Sequence, residues 1–497
     1  MSKYLCNIPC GTSLPLQNPH AVSVSLPTMN DVIGYEEGEE SVLAIMESGY
    51  PRFFTNKLVE KLINVIRQEF GIENNAIILP IASIKAKNIL EELIQSTLNY
   101  VADDENIFLI FKKDDPLLPL CKGLIRNTGL LISSRKAEAT LAKKSLLTPF
   151  LEQHSNGSDA ESEVKSVLAN AYGVSNNEIL LTNSGMNAVF SACESVSQLK
   201  IAEGRDIVIQ LGWLYLDTME IIEKRCRNAH VQININNKAQ LENWLLENHH
   251  RVGLLMTEAV TNPLIHCVDL PWLSSLCKKY NIILIVDTTI ATPFNAELIA
   301  YCDIAVESLT KFASGGGDVL MGAIIVNPAS PLAQFKDTIA NYIIPAFSGD
   351  VARLAFQIVN YESRMRKVAD NTKALYDYLL RQPYISTIHS VFNPIDADAF
   401  SKIRKSDNCT IGVISIIFDK NLAHYYDRLE LPKGPTLGTE FTIAMPYVYL
   451  AHFDCLQSDE GRKRLQTLGL NPELLRISVG TEPIEDIIAV FEKLKDF

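Results

Sequence analysis

From residue 178 onward the chain alternates two kinds of segment. Short apolar runs at 178–182, 206–211, 252–256, 282–286 and 304–306 are separated by stretches with helical spacing, such as 184–197 and 216–225. Runs of Val, Ile and Leu without polar alternation are covered on both faces, so they predict a mostly parallel sheet between two layers of helices. Ligands of such sheets bind at the carboxyl ends of the strands, and that is where chemistry is to be sought.

The first ~165 residues are patterned differently. After an irregular, Pro-containing start, 56–70 and 86–98 have helical periodicity, and 76–79 and 107–111 read as strands, which together predict a small α/β unit. A segment at 152–163, rich in Ser, Asn, Asp and Glu, predicts a linker and a helix start. Beyond 345 a long helix at 360–380, a strand at 474–479 and a helix at 484–495 predict an α+β unit. The expected organisation is an N-terminal extension over 1–165, a large α/β domain over 166–344 and a C-terminal α+β domain over 345–497, since 497 residues exceed one compact core.

Composition narrows the function classes. With 47% hydrophobic and 21% charged residues the chain is expected to be a soluble globular protein. The net charge of -13, with no stripe of Lys and Arg, argues against a nucleic-acid groove, and the run Lys402-Ile403-Arg404-Lys405 reads as solvated surface. Ten cysteines are scattered without C-x-x-C spacing, so reduced thiols and no metal site are expected. No apolar run approaches a membrane span and no leader pattern opens the chain, so a cytoplasmic protein without a membrane partner is expected.

The chemistry centres on Lys311, which closes Glu307-Ser308-Leu309-Thr310-Lys311 after a short strand and precedes the turn Gly315-Gly316-Gly317-Asp318. A lysine so placed can hold an aldehyde cofactor as a Schiff base, with the Ser308 and Thr310 hydroxyls in reach of that cofactor's phosphate. A Thr-Lys pair alone is common in solvated loops; its surroundings give it weight. Asp287 follows the strand at 282–286 and suits a pyridinium nitrogen, although an N-cap role serves equally. Asn183-Ser184-Gly185-Met186-Asn187 joins strand to helix, which offers free N–H groups of Gly185 and Met186 to an anion. Tyr215 suits the face of a planar ring and Asn262 the ring hydroxyl. Arg476, within an otherwise apolar strand, calls for a carboxylate.

In order and spacing, Ser184-Gly185-Met186, Tyr215, 258–263, 287–293, 308–311 and 476–482 resemble the pyridoxal-phosphate enzymes of cysteine and methionine metabolism. The starts at 20–28 and 49–53, together with 132–138, are most similar to the long, fungal-type cystathionine γ-synthases. The resemblance implies the aspartate-aminotransferase type I fold and pyridoxal 5'-phosphate as cofactor. It implies Lys311 as the Schiff-base lysine and proton carrier, Asp287 on the ring nitrogen and Tyr215 stacked on the ring. It further implies Asn262 near the ring oxygen, Gly185, Met186, Ser308 and Thr310 on the phosphate, and Arg476 with Thr436 on the substrate carboxylate. The implied reaction is γ-replacement, joining an O-acyl-homoserine to cysteine in transsulfuration and methionine biosynthesis. A cystathionine lyase, an O-acylhomoserine sulfhydrylase and a non-catalytic regulatory homologue are the alternatives. The resemblance also implies a homodimer or homotetramer, because the family carries a Tyr-x-Arg pair to the phosphate of a neighbouring subunit. Here Ser133-Ser134-Arg135 has the order without the tyrosine, and Tyr50-Pro51-Arg52 has the tyrosine far upstream. Arg135 is expected to take the phosphate. Thr288 and Gly316 replace the family's usual Asn and His.

Overall fold

The computed structural model describes residues 3–155, 157, 159–225 and 229–496. A seven-stranded sheet at its centre has the order Ile179–Thr182, Gly322–Val326, Ile304–Ser308, Ile283–Asp287, Val252–Glu258, Ile207–Leu211, Ala229–Ile233. Gly322–Val326 runs antiparallel to both neighbours, and the remaining pairings are parallel. Alternate residues of one strand enter different cores: Leu284 and Val286 pack on one face, Ile283 and Ile285 on the other. Both faces are thus covered, which is why these strands read as unbroken apolar runs.

Two strands of this sheet lie outside the runs read from the sequence. Ala229–Ile233 lies at the edge and is half-exposed along most of its length. Gly322–Val326 is a fully buried apolar run, and begins with a glycine whose Cβ would lie 2.5 Å from the Ser184 carbonyl oxygen. That close approach seats the start of the helix Gly185–Ala202 against the sheet. The expected helix at 216–225 is α-helical over Leu216–Glu220 and continues as a π-helical turn over Ile221–Arg225.

The C-terminal sheet is antiparallel, in the order Ile385–His389, Val413–Phe418, Leu475–Ser478, Ile443–Pro446. The helices Tyr361–Leu379 and Ile484–Glu492 share a core with it. Toward the N-terminus, Ile77–Ile81, Asn106–Phe111 and Tyr100–Asp103 form a third, antiparallel sheet. Its first strand runs through Pro80, which an edge position tolerates. Ahead of it, a ribbon of Ser13–Leu14 and Ser23–Val24 leads an arm across the molecule, and Val24 and Leu26 are buried in the C-terminal core.

Candidate active site

The carboxyl ends of the strands Val252–Glu258, Ile283–Asp287 and Ile304–Ser308 converge with the first turn of the helix Gly185–Ala202 on a cavity of about 960 Å³. Lys311 lies just past the last of these strands, and its Nζ donates to Thr436 Oγ1 at 3.2 Å. Burial pushes this amine below the ordinary lysine value, and the neighbouring Tyr50 offsets that only in part. A neutral amine is the form that attacks an aldehyde. Gly438, at φ +78°, lets the loop that carries Thr436 rest on the lysine, because a Cβ there would lie 2.6 Å from Phe312 N.

Asp287 lines the same cavity and accepts from Thr289 N at 2.9 Å. Burial raises its carboxyl above the usual range against that hydrogen bond. Nearby Glu258 accepts from Tyr215 N at 2.6 Å and Asn262 N at 3.1 Å, and burial followed by the charge of Asp287 raises it strongly. Two buried carboxyls side by side favour an incoming cation or proton. On the opposite charge, Arg476 donates to Asn262 Oδ1 at 3.3 Å and to the Thr436 carbonyl at 2.6 Å, while its buried Nε has no hydrogen-bond partner. Burial lowers this guanidinium to about 10. A buried cation with an open donor fits a carboxylate.

Ser184 caps the helix by accepting from Asn187 N at 3.2 Å, which leaves the Gly185 and Met186 amides for an anion. A Cβ on Gly185 would lie 2.7 Å from Ser308 Cβ, so glycine brings this turn and the Ser308 hydroxyl together. Tyr215 also lines the cavity, and its hydroxyl accepts from Arg52.

The structure therefore brings Lys311, Asp287, Tyr215, Gly185, Met186, Asn262, Ser308, Arg476 and Thr436 to one cavity. Two expected residues stand elsewhere. The Thr310 hydroxyl turns to the Met321 backbone, accepting from its amide at 3.2 Å and facing its carbonyl at 3.3 Å. Arg135 is buried among acids, with Glu152 at 2.6 Å, Asp350 at 3.2 Å and the Asp318 carbonyl at 2.5 Å, so its donors are spent outside the cavity. Arg52, paired with Asp217, lines the cavity where Arg135 does not. Sequence reasoning set aside the pair Tyr50 and Arg52, although Tyr50-Pro51-Arg52 was the available sign.

A buried lysine whose amine is shifted toward the neutral form, two buried carboxyls, a guanidinium with an open Nε and a helix N-terminus around one cavity define a pyridoxal-phosphate site on a type I fold, and the residues present fit that cofactor. The family model for Cys/Met metabolism PLP-dependent enzymes matches residues 159–494, and the chain belongs to that family. It is 34% identical over 485 residues to the L-2-amino-4-chloropent-4-enoate dechlorinase/desaturase of Streptantibioticus cattleyicolor, covering 96% of each chain. It is 25% identical over 610 aligned positions to the cystathionine gamma-synthase of Neurospora crassa, covering 97% of each. Among solved structures, the cystathionine gamma synthase of Xanthomonas oryzae superposes with a TM-score of 0.59 at 18% identity, over 68% of this chain and 86% of that one, a likeness of fold.

Proposed function

We propose that this enzyme removes a substituent from C4 of an α-amino acid, the step shared by γ-replacement and γ-elimination. The unpartnered Nε of Arg476, in a cavity that also holds Lys311 and Asp287, carries this reading, because it marks where an amino acid's carboxylate docks beside the reactive amine. Bound pyridoxal phosphate withdraws electrons from the amino acid and so acidifies the protons on its α- and β-carbons. Asp287 holds the proton of the ring nitrogen, Tyr215 covers the ring, and Gly185, Met186 and Ser308 bind the phosphate. Arg476 orients the carboxylate, with Thr436 bridging it to Lys311. Lys311 Nζ would take the proton from Cα and relay it to the bound cofactor, which returns the amine to its basic form to take a second proton from Cβ, after which the C4 substituent would depart with its bonding electrons.

In the first reading, cysteine then adds its sulfur at C4 and an O-acyl-homoserine becomes cystathionine, as expected from the sequence. The likeness to the dechlorinase/desaturase supports a second fate, elimination without a thiol. That alignment spans 485 positions, close to the chain's own 497, whereas the synthase alignment needs 610. The deciding experiment incubates the purified protein with pyridoxal phosphate and either O-acyl-homoserine plus cysteine, cystathionine alone, or 2-amino-4-chloropent-4-enoate. Mass spectrometry then identifies the amino-acid products. Cystathionine formation selects replacement, and chloride release selects elimination. Conversion of cystathionine alone to cysteine and 2-oxobutyrate would be elimination at C4 as well, whereas its cleavage to homocysteine and pyruvate, with no turnover of the other substrates, refutes both.

A further inference from the structure

At the ends of the strands that deliver Asp287 and Ser308 lies a buried acid that the reaction as described does not use. Glu307 is 2% exposed and stands level with Thr288 across the parallel pair, whose register sets Asp287 beside Val306. Its carboxyl meets the hydroxyls of Tyr172 and Tyr361, each at 2.7 Å. The Tyr172 hydroxyl lies 2.6 Å from Thr288 Oγ1, and Thr288 Oγ1 donates to the Val306 carbonyl at 3.0 Å. Tyr172 thus bridges the two strand ends sideways, because Thr288 directly follows Asp287 and Glu307 directly precedes Ser308.

The same network reaches the other elements of the site. Thr289 N donates to Asp287, and Thr289 Oγ1 accepts from Ser308 N, both at 2.9 Å, so the two strand ends are tied where they line the cavity as well. Tyr361 opens the helix Tyr361–Leu379. Arg364, on its first turn, donates to the carbonyls of Phe312 and Ala313 at 3.0 and 3.1 Å, just past Lys311. Tyr172 is the last residue of the helix Ala160–Tyr172. A change at Glu307 is therefore transmitted to the acid, the serine and the lysine loop together.

The hydrogens available decide the state of this acid. Glu307 to Tyr172, Tyr172 to Thr288, Thr288 to Val306 and Glu307 to Tyr361 are four bonds, and the hydroxyls of Tyr172, Thr288 and Tyr361 bring three hydrogens. As an anion Glu307 accepts from both tyrosines, which leaves the single Thr288 hydrogen to serve two bonds. A protonated Glu307 supplies the fourth: it donates to Tyr172, Tyr172 to Thr288 and Thr288 to the Val306 carbonyl, while Tyr361 donates to the second carboxyl oxygen. Thr292, which also meets the Tyr361 hydroxyl, brings its own hydrogen. Charge agrees with this count. Among the described residues no cation pairs with Glu307, and Arg364 is spent on carbonyls and on Glu440 at 3.0 Å. Burial raises the carboxyl to about 7 against the pull of the two tyrosines, and the charge of Asp287 adds to the rise. A second unpaired anion buried beside Asp287 is costly.

We propose that Glu307 is a positioning residue that works as a neutral acid: its proton completes a hydroxyl chain through Tyr172 and Thr288 that sets Asp287 and Ser308 for the cofactor, and the chain fails when that proton is lost as pH rises. The proposal rests on the cofactor the family uses and on no choice of substrate. Glu307 acts through its neighbours and not on the reacting atoms.

The test is the pH dependence of cofactor binding in wild type and in Glu307→Gln. A glutamine keeps the uncharged state at every pH, with Nε2 donating to Tyr172 and Oε1 accepting from Tyr361. Pyridoxal phosphate is titrated into each apoprotein at about pH 6 and about pH 8.5 and read by its visible absorption. Lys311 and the cofactor phosphate titrate in both proteins and cancel in the ratio of the two affinities. That ratio is expected to be close to one at the lower pH; at the higher pH the variant binds about three- to tenfold tighter than wild type, which has lost the proton there. Tyr172→Phe cuts the chain and leaves Glu307 in place, so it binds more weakly than wild type at the lower pH and loses most of that deficit at the higher. A ratio for Glu307→Gln that is the same at both pH values is what a merely structural role gives, and it overturns the proposal, as does weaker binding by the variant at the higher pH alone. Should Glu307→Gln fail to fold, Tyr172→Phe decides by the same comparison: a deficit confined to the lower pH supports the proposal, and an equal deficit at both overturns it. A wild-type protein that takes up no cofactor at either pH refutes the functional reading and the proposal with it, whereas the other adverse outcomes leave that reading standing.

Discussion

Arg476 projects from the strand Leu475–Ser478 with two nitrogens engaged by Asn262 and Thr436 and with Nε open. A guanidinium holds a carboxylate through a planar fork that an ammonium cannot reproduce. Arg476→Lys is therefore expected to raise KM for the amino acid about ten- to a hundredfold, with a smaller loss in kcat. Steady-state kinetics beside cofactor absorbance checks that the cofactor stays bound. Equal falls in kcat and kcat/KM, with KM unchanged, would remove Arg476 from substrate binding. Glu307 offers a pH test in the same region. Its carboxyl accepts from Tyr172 Oη and Tyr361 Oη, each at 2.7 Å, and burial pushes it up to about 7 despite both bonds. Between its ordinary 4.5 and about 7, the folded chain keeps a proton that the unfolded chain has lost. Its contribution is thus full below about pH 4.5 and is lost as pH rises through about 7. Glu307→Gln removes that titration. Relative to wild type, the variant should gain on the order of 3 kcal/mol between about pH 4.5 and pH 8. Urea unfolding across this range measures the difference, and a flat difference would refute the assignment.

At the scale of elements, the site depends on how closely the helix Gly185–Ala202 approaches the strand Ile304–Ser308. Gly185→Ala would place a Cβ 2.7 Å from Ser308 Cβ and force the two apart. Overpacking of this kind costs about 1–3 kcal/mol, and a comparable loss in cofactor binding is about tenfold in affinity. Titration of the cofactor into the apoprotein, beside a thermal melt, reads both effects, and an unchanged affinity would show that this turn does not hold the phosphate. The same elements show what the sequence discloses. Ile283–Asp287 and Val252–Glu258 are legible because burial on both faces forbids polar positions, and their carboxyl ends then point to Asp287 and Glu258. Ala229–Ile233 escapes because an edge strand mixes exposed and buried positions. The arm with Tyr50 and Arg52 escapes for another reason. It has no period, and hydrogen bonds to Gly317 and Lys433, hundreds of residues away, set its path. Arg135 was the more attractive phosphate ligand because it lies near the sheet in sequence. Nothing local reveals that Glu152, Asp318 and Asp350 converge on it.

Across the whole molecule, that convergence gives Arg135 a structural task. It sits on the helix Ser134–Lys143 beside the N-terminal sheet. Its partners are Glu152, in the segment that links this unit to the large sheet, Asp318, in the turn after Lys311, and Asp350, on the helix Ser348–Ile358. Arg353 pairs with Asp318 at 2.8 Å, and Gln357 donates to it at 2.7 Å, so the turn is held from two sides. Burial opposes the Arg135 cation, and the acids, Glu152 foremost, move its pKa upward nonetheless. Removing the cation leaves Asp350 buried without its counter-charge, and losing one partner of a buried pair costs about 3–5 kcal/mol. Arg135→Ala is therefore expected to lower the unfolding midpoint by several degrees while the folded fraction binds pyridoxal phosphate with an affinity near wild type. Arg52→Lys should do the reverse, leaving the melt close to wild type and weakening the cofactor. Differential scanning calorimetry of the apoproteins, followed by cofactor titration at a temperature where both variants are folded, separates the two arginines. If Arg135→Ala lost cofactor affinity at an unchanged midpoint, the phosphate would belong to Arg135, as the sequence alone suggests, and the arm would have to be assigned another purpose.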